Sequence, residues 1–184
     1  MVNTELPSEE VYRRTCLIPY MGDFSKVACA ALKHMGLQAR VLPTNTEPGY
    51  EASDRHIHTE TCFPLRGVAS DILGFLNAEA TRVGKTAVQS DYFIAFPTTG
   101  GPCRFGKYRE VIRIFLKDEG FGDVPVIGPS AESDYLDALA FRNPVRDAIR
   151  FYRVVMKALV ASDMLNDTVL RYRPGLQAYS GALL

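Results

Sequence analysis

Cys62 and Cys103 are the residues of this chain best placed for chemistry. Each lies beside a proline just ahead of a stretch with helical spacing, in Thr61-Cys62-Phe63-Pro64 and in Gly101-Pro102-Cys103-Arg104-Phe105-Gly106. A cysteine at a helix start faces unpaired N–H groups and the positive end of the helix dipole, which favours the thiolate and with it reactivity or metal ligation. Iron–sulfur clusters are held by such thiolates, usually four, so two do not fill one. Spacing alone leaves the pair open between metal ligands and plain thiols, because a separation of 41 residues matches no compact metal signature. Cys16 falls in a strand-like run and Cys29 within a helical one; packing is the expected role of both, since free cysteine is among the most buried residue types.

Two stretches imitate a phosphate loop. Gly101 to Tyr108 fits G-x-x-x-x-G-K after a strand and before a helix, but Tyr108 stands where a Ser or Thr would reach Mg²⁺. Gly84-Lys85-Thr86 has the right ending, with Glu79 in place of the first glycine. Neither reads as a nucleotide P-loop, although a glycine-flanked turn with Arg104 and Lys107 suits some anion. His56, His58 and Glu60 precede Cys62 in a polar stretch with no downstream ligand pair to complete a zinc site, so a solvated loop is expected. Arg66 offers charge to an anion, a surface ion pair being its commoner fate. No Ser, His and Asp constellation is recognisable.

The elements that must hold these residues follow from periodicity. Thr15 to Tyr20 reads as a buried strand, and Phe24, Val27, Ala31, Leu32 and Met35 as a helix stopped at Gly36. Gln38 to Leu42 reads as a second strand, which makes a strand, helix, strand unit of the kind parallel pairing requires. Pro43 to Thr61 has no period and is expected to be a long loop. Leu65, Val68, Ala69, Ile72, Leu73 and Leu76 mark the next helix, and Tyr92 to Phe96 a central strand covered on both faces. Tyr108, Val111, Ile112, Phe115 and Leu116 mark a third helix, Val124 to Ile127 a further strand, and Val145 to Ala161 a fourth helix. This alternation predicts a doubly wound, mostly parallel α/β sheet of the Rossmann or flavodoxin type. The expected divisions are a frayed start over 1–14, the α/β domain over 15–130 and a helical segment with tail over 131–184. The tail shows no clear stop and reads as an excerpt from a longer polypeptide. In a doubly wound sheet the loops at the carboxyl ends of the strands converge, so both cysteines should face one crevice.

Composition restricts the function classes. The 184 residues carry 21 Lys+Arg against 21 Asp+Glu, and 47% are hydrophobic. Zero formal net charge removes the main argument for nucleic acid or an anionic membrane as partner. No apolar run approaches the ~20 residues of a spanning helix. Glu5, Glu9 and Glu10 oppose the basic start of a secretory signal, which predicts a cytoplasmic protein. Four cysteines at wide spacing in a chain of this size do not suggest a disulfide framework.

Glu60-Thr61-Cys62-Phe63-Pro64 with Gly67, followed after an aromatic strand by Gly101 to Tyr108, resembles the 2-hydroxyacyl-CoA dehydratase and CoA-substrate-specific enzyme activase-associated family. The likeness runs from about Thr15 to Ser130, and its most specific part is Gly-Pro-Cys-Arg-Phe-Gly. The resemblance implies an α/β domain binding a [4Fe-4S] or related cluster, with Cys62 and Cys103 at the family's ligand positions and neither Cys16 nor Cys29 matching another. It implies electrons delivered by an ATP-hydrolysing activase, an acyl-CoA substrate, and a role in a reductase or dehydratase-like system. Arg104, Phe105 and Gly106 are then expected to stabilise cluster sulfide or a bound anion. Two rival readings accompany it: a metal-free α/β interaction module, and a CoA or nucleotide-phosphate binder using Gly101 to Lys107. A homodimer is left open.

Overall fold

The computed structural model describes residues 7–44, 46–58, 60–99, 102–128 and 141–181. Four strands, β1 (Thr15–Ile18), β2 (Gln38–Val41), β3 (Tyr92–Ala95) and β4 (Val126–Ile127), form one sheet in the order β2-β1-β3-β4 with every pairing parallel. Helices cover both faces, so the fold is a doubly wound α/β sheet. Strand periodicity divides the core: Cys16, Ile18, Phe93 and Ala95 join one apolar cluster, while Leu17, Ile94 and Phe96 join another on the opposite face.

The first face is covered by α2 (Asp23–His34), which follows β1, and by α1 (Ser8–Arg13). The start expected to fray is thus helical over Ser8–Arg13, anchored by Val11, which is wholly buried. The second face is covered by α4 (Phe63–Val83) and α6 (Tyr108–Asp118), whose buried Leu65, Ile72, Leu76, Ile112 and Leu116 each contribute roughly 1.5–3 kcal/mol by leaving water. Among the described residues no helix is long and apolar enough to cross a membrane.

The stretch expected to be one long loop contains a further helix, α3 (Glu47–Asp54). It carries no apolar stripe because it docks through small residues, Gly49, Ala52 and Ser53. A Cβ on Gly49 would lie 2.4 Å from the Ser70 carbonyl oxygen, and one on Gly74 would lie 2.8 Å from the Gly49 Cα. Glycine on both helices lets their backbones touch. A short α5 (Lys85–Asp91) shares Gly84 as cap with α4, which puts Gly84-Lys85-Thr86 at the amino end of β3, across the sheet from the ligand-binding edge.

The last helix, α7 (Pro144–Gly181), runs 38 residues, about 20 past its expected end, with Pro174 inside it. Asn143 and Asp147 start it: the Asn143 side chain accepts from the Arg146 N–H and the Asp147 carboxylate accepts from the Asn143 N–H, both at 3.1 Å. It packs antiparallel on α2, with Arg150 beside His34 at one end and Asn166 donating to Asp23 at the other. The helical segment assigned to 131–184 thus rests on the α/β domain through α2, while residues 129–140, where the boundary at 130 falls, lie outside the described residues.

Candidate functional site

At the carboxyl edge of the sheet, β3 leads through Pro97 to Thr99 towards Cys103, the cap of a single 3-10 turn (Arg104–Lys107) that continues into α6. Cys62 is the cap of α4. Both cysteines therefore stand at helix starts, as their sequence settings predict, and both are free thiols. Tyr108 joins the two segments: its hydroxyl donates to Cys62 Sγ at 2.9 Å. Burial pushes the Tyr108 hydroxyl up to about 12, and the sulfurs of Cys62 and Cys103 add to the shift. Arg104 makes a second tie, its guanidinium donating to the Glu60 carbonyl at 2.8 Å.

Between these loops lies a cleft of about 650 Å³, with Cys62, Tyr108, Arg104, Lys107, Arg55 and His58 on its walls. Cys62 is half-buried on its wall, whereas Cys103 is exposed and does not line it, so the structure brings only one of the two cysteines into the crevice expected for both. Of the residues expected to assist a cluster or anion, Arg104 lines the cleft. Phe105 turns inward, its ring 5.5 Å from Phe96 and 5.3 Å from Tyr108. Gly106 is pressed against the preceding loop, where a Cβ would sit 2.3 Å from the Thr99 carbonyl oxygen, and its N–H donates to the Cys103 carbonyl. Phe105 and Gly106 thus shape the turn from behind.

The polar stretch before Cys62 is fastened down. His56 stacks on Phe115 with centroids 4.9 Å apart, and its Nε2 lies 2.9 Å from Glu119 Oε1. Arg55 makes a bidentate pair with the same carboxylate. These contacts turn His56 away from the zinc role weighed for it, and among the described residues no group of three or more His, Cys, Asp or Glu side chains converges as a metal site. Arg66 pairs with Asp54 at 2.6 Å and lies over the Tyr50 ring, the surface ion pair expected of it. Cys16 and Cys29 are buried on the opposite face of the sheet, among Ile18, Leu32 and Phe93. Burial, the closeness of Cys29 second, pushes the Cys16 thiol far up.

Tyr108, Arg55 and Glu119 are the site residues that sequence reasoning did not select, and His56, weighed only for zinc, serves instead in the cluster with Arg55 and Glu119. The one signal for Tyr108 was its misfit as the last residue of a P-loop. Glu119 also carries a pH effect. Burial opposes its charge, but Arg55 and His56 outweigh burial and hold its carboxyl below the usual range. A group with a depressed folded-state pKa stabilises above its unfolded value, about 4.3, and that stabilisation is lost as pH falls through the folded value. The thermal-stability gap between wild type and Glu119→Gln should therefore be full at neutral pH and close below about pH 4. A gap of constant size down to pH 3 would show that Glu119 acts without its charge.

Neither protein-family models, nor curated proteins, nor solved structures match this chain.

Proposed function

We propose that this chain is an iron–sulfur-cluster-binding domain of a 2-hydroxyacyl-CoA dehydratase-like or activase-linked reductase system, with Cys62 and Cys103 as its ligands. The observation that supports the reading is the setting around Tyr108: two cysteines 41 residues apart each cap a helix start, Cys62 on the cleft wall accepts from the Tyr108 hydroxyl, and Cys103 lies near enough to that hydroxyl to influence it. As a donor set this fits half of a cluster site. Cys16 and Cys29 are buried behind the sheet, so no other described cysteine completes the site. When bound, such a cluster supplies one-electron transfer at low potential.

The chain's own residues have definite parts in this reading. Cys62 and Cys103 bind as thiolates. Tyr108 donates a hydrogen bond to the Cys62 sulfur, which lowers electron density on a ligand and orients it. Arg104 pins the loop carrying Glu60 to the turn after Cys103 and places positive charge at the cleft. The reading includes a reducing cytoplasmic setting, an ATP-hydrolysing activase as electron donor and an acyl-CoA substrate.

A second reading is favoured by the cations of the same cleft: Arg104, Lys107 and Arg55 suit the phosphates of CoA or a nucleotide without any metal. The deciding measurement is iron and acid-labile sulfide per chain, with a visible spectrum, on protein prepared without oxygen. The expected result is stoichiometric iron and sulfide with broad brown absorbance. Folded, colourless, iron-free protein whose melting temperature rises with CoA or ATP would overturn the first reading in favour of the second.

A further inference from the structure

The cleft beside Cys62 has two unlike ends joined along one face of α6. Lys107, the cap of α6, and Val111, Ile114 and Asp118 within it recur at three- and four-residue intervals, so they form one stripe, and all four line the cleft. At the amino end of the stripe stand two cations, Lys107 and Arg104. Arg104 donates to the Glu60 carbonyl, and among the described residues neither cation meets a carboxylate. Even with the Glu60 carboxylate counted, that end keeps an excess of positive charge. Arg55, by contrast, is neutralised by Glu119. At the other end Asp118 lies 3.9 Å from His56 Nδ1.

Between these ends the open wall is aliphatic. Ile114 is 57% exposed and Val111 half-buried, and Leu65 of α4 lines the same space. The aromatic rings of the lining are already engaged, Phe115 by His56 and Tyr108 by Phe96 and Phe105. An apolar wall with a few polar groups gathered at one end is the usual build of a small-molecule site, and covering Ile114 removes apolar surface from water. We propose that the cleft binds an aliphatic monocarboxylate, its head held by Arg104 and Lys107 and its chain lying along Val111 and Ile114. The proposal rests on the second reading above, in which the cleft takes an anion, and narrows that anion to one with an apolar body. From Lys107 to Ile114 is about 10 Å of helix, which an extended chain of roughly eight carbons covers. Asp118, one turn past Ile114, repels a second carboxylate at the far end, so the ligand carries a single charge.

The test is isothermal titration calorimetry of the full chain with octanoate, compared with acetate, 1-octanol and CoA, with circular dichroism as control for folding. Octanoate is expected to bind roughly tenfold or more tighter than acetate, which has the head alone, or 1-octanol, which has the chain alone. Lys107→Glu should weaken octanoate by roughly tenfold or more and leave 1-octanol unchanged, whereas Ile114→Asp, at an exposed position, should weaken both. A chain that binds CoA and not octanoate would overturn the proposal and keep the second reading; one that binds neither would overturn both. Acetate bound as tightly as octanoate would overturn the aliphatic body. Octanoate bound equally well by the folded Lys107→Glu or Ile114→Asp variant would overturn the placement in this cleft.

Discussion

The double variant Cys62→Ser, Cys103→Ser is expected to lose all bound iron and labile sulfide and to keep its fold. A serine hydroxyl stays protonated where a cysteine thiol can ionise, so it offers soft iron no comparable ligand. The fold should hold because neither thiol is core: Cys103 is exposed and Cys62 half-buried. Both also occupy helix-cap positions at which no side chain now accepts a backbone N–H. Serine is a favoured cap residue, worth about 0.5–2 kcal/mol over alanine, so the variant's melting temperature should equal or exceed that of the iron-free wild type. Substitution of the other two cysteines should behave in the opposite way. Cys16→Ser and Cys29→Ser put a hydroxyl among Ile18, Leu32 and Phe93, which costs stability, yet they stand behind the sheet and should leave iron content unchanged. Iron retained in the double variant would remove Cys62 and Cys103 as ligands, whatever else the chain binds.

The sheet was legible because its strands are short runs of residues suited to burial on two faces, Tyr92 to Phe96 most clearly, and because glycines at Gly36 and Gly120, both with positive φ, mark where helices stop. Three features escaped for separate physical reasons. Helix α3 is held by small residues in close backbone contact, which leave no hydrophobic period to detect. The second half of α7 is polar enough to read as tail, and the exposed Pro174 removes one hydrogen bond without ending the helix. The bond from Tyr108 to Cys62 joins residues 46 apart, and no local pattern encodes so distant a meeting. What the sequence did carry was the local setting of each cysteine, a proline beside it and a helix after it. The parallel crossover then brings the two settings to one edge without any signal in the residues between.

Phe96 connects the core to that edge, and Phe96→Ala should be the most damaging single core substitution near the site. Phe96 is wholly buried at the end of β3, and its N–H donates to the Ile127 carbonyl at 2.8 Å. Its ring lies 5.5 Å from Phe105 and 6.3 Å from Tyr108, so it is the surface on which the turn after Cys103 and the first turn of α6 rest. Removing it deletes the transfer free energy of an aromatic side chain and leaves a cavity, together about 3–5 kcal/mol, a large share of the ~5–15 kcal/mol that holds a domain folded. Phe96→Leu, which fills most of the volume, should cost much less. Denaturant unfolding of both variants measures the difference. The consequence for the site is separate from the global loss: with its backing gone, Tyr108 no longer holds a fixed position against Cys62, so alkylation of Cys62 in the still-folded alanine variant should become faster. Equal stability in the alanine and leucine variants would mean that the core closes over the missing ring, and unchanged alkylation would mean that Phe105 alone positions Tyr108.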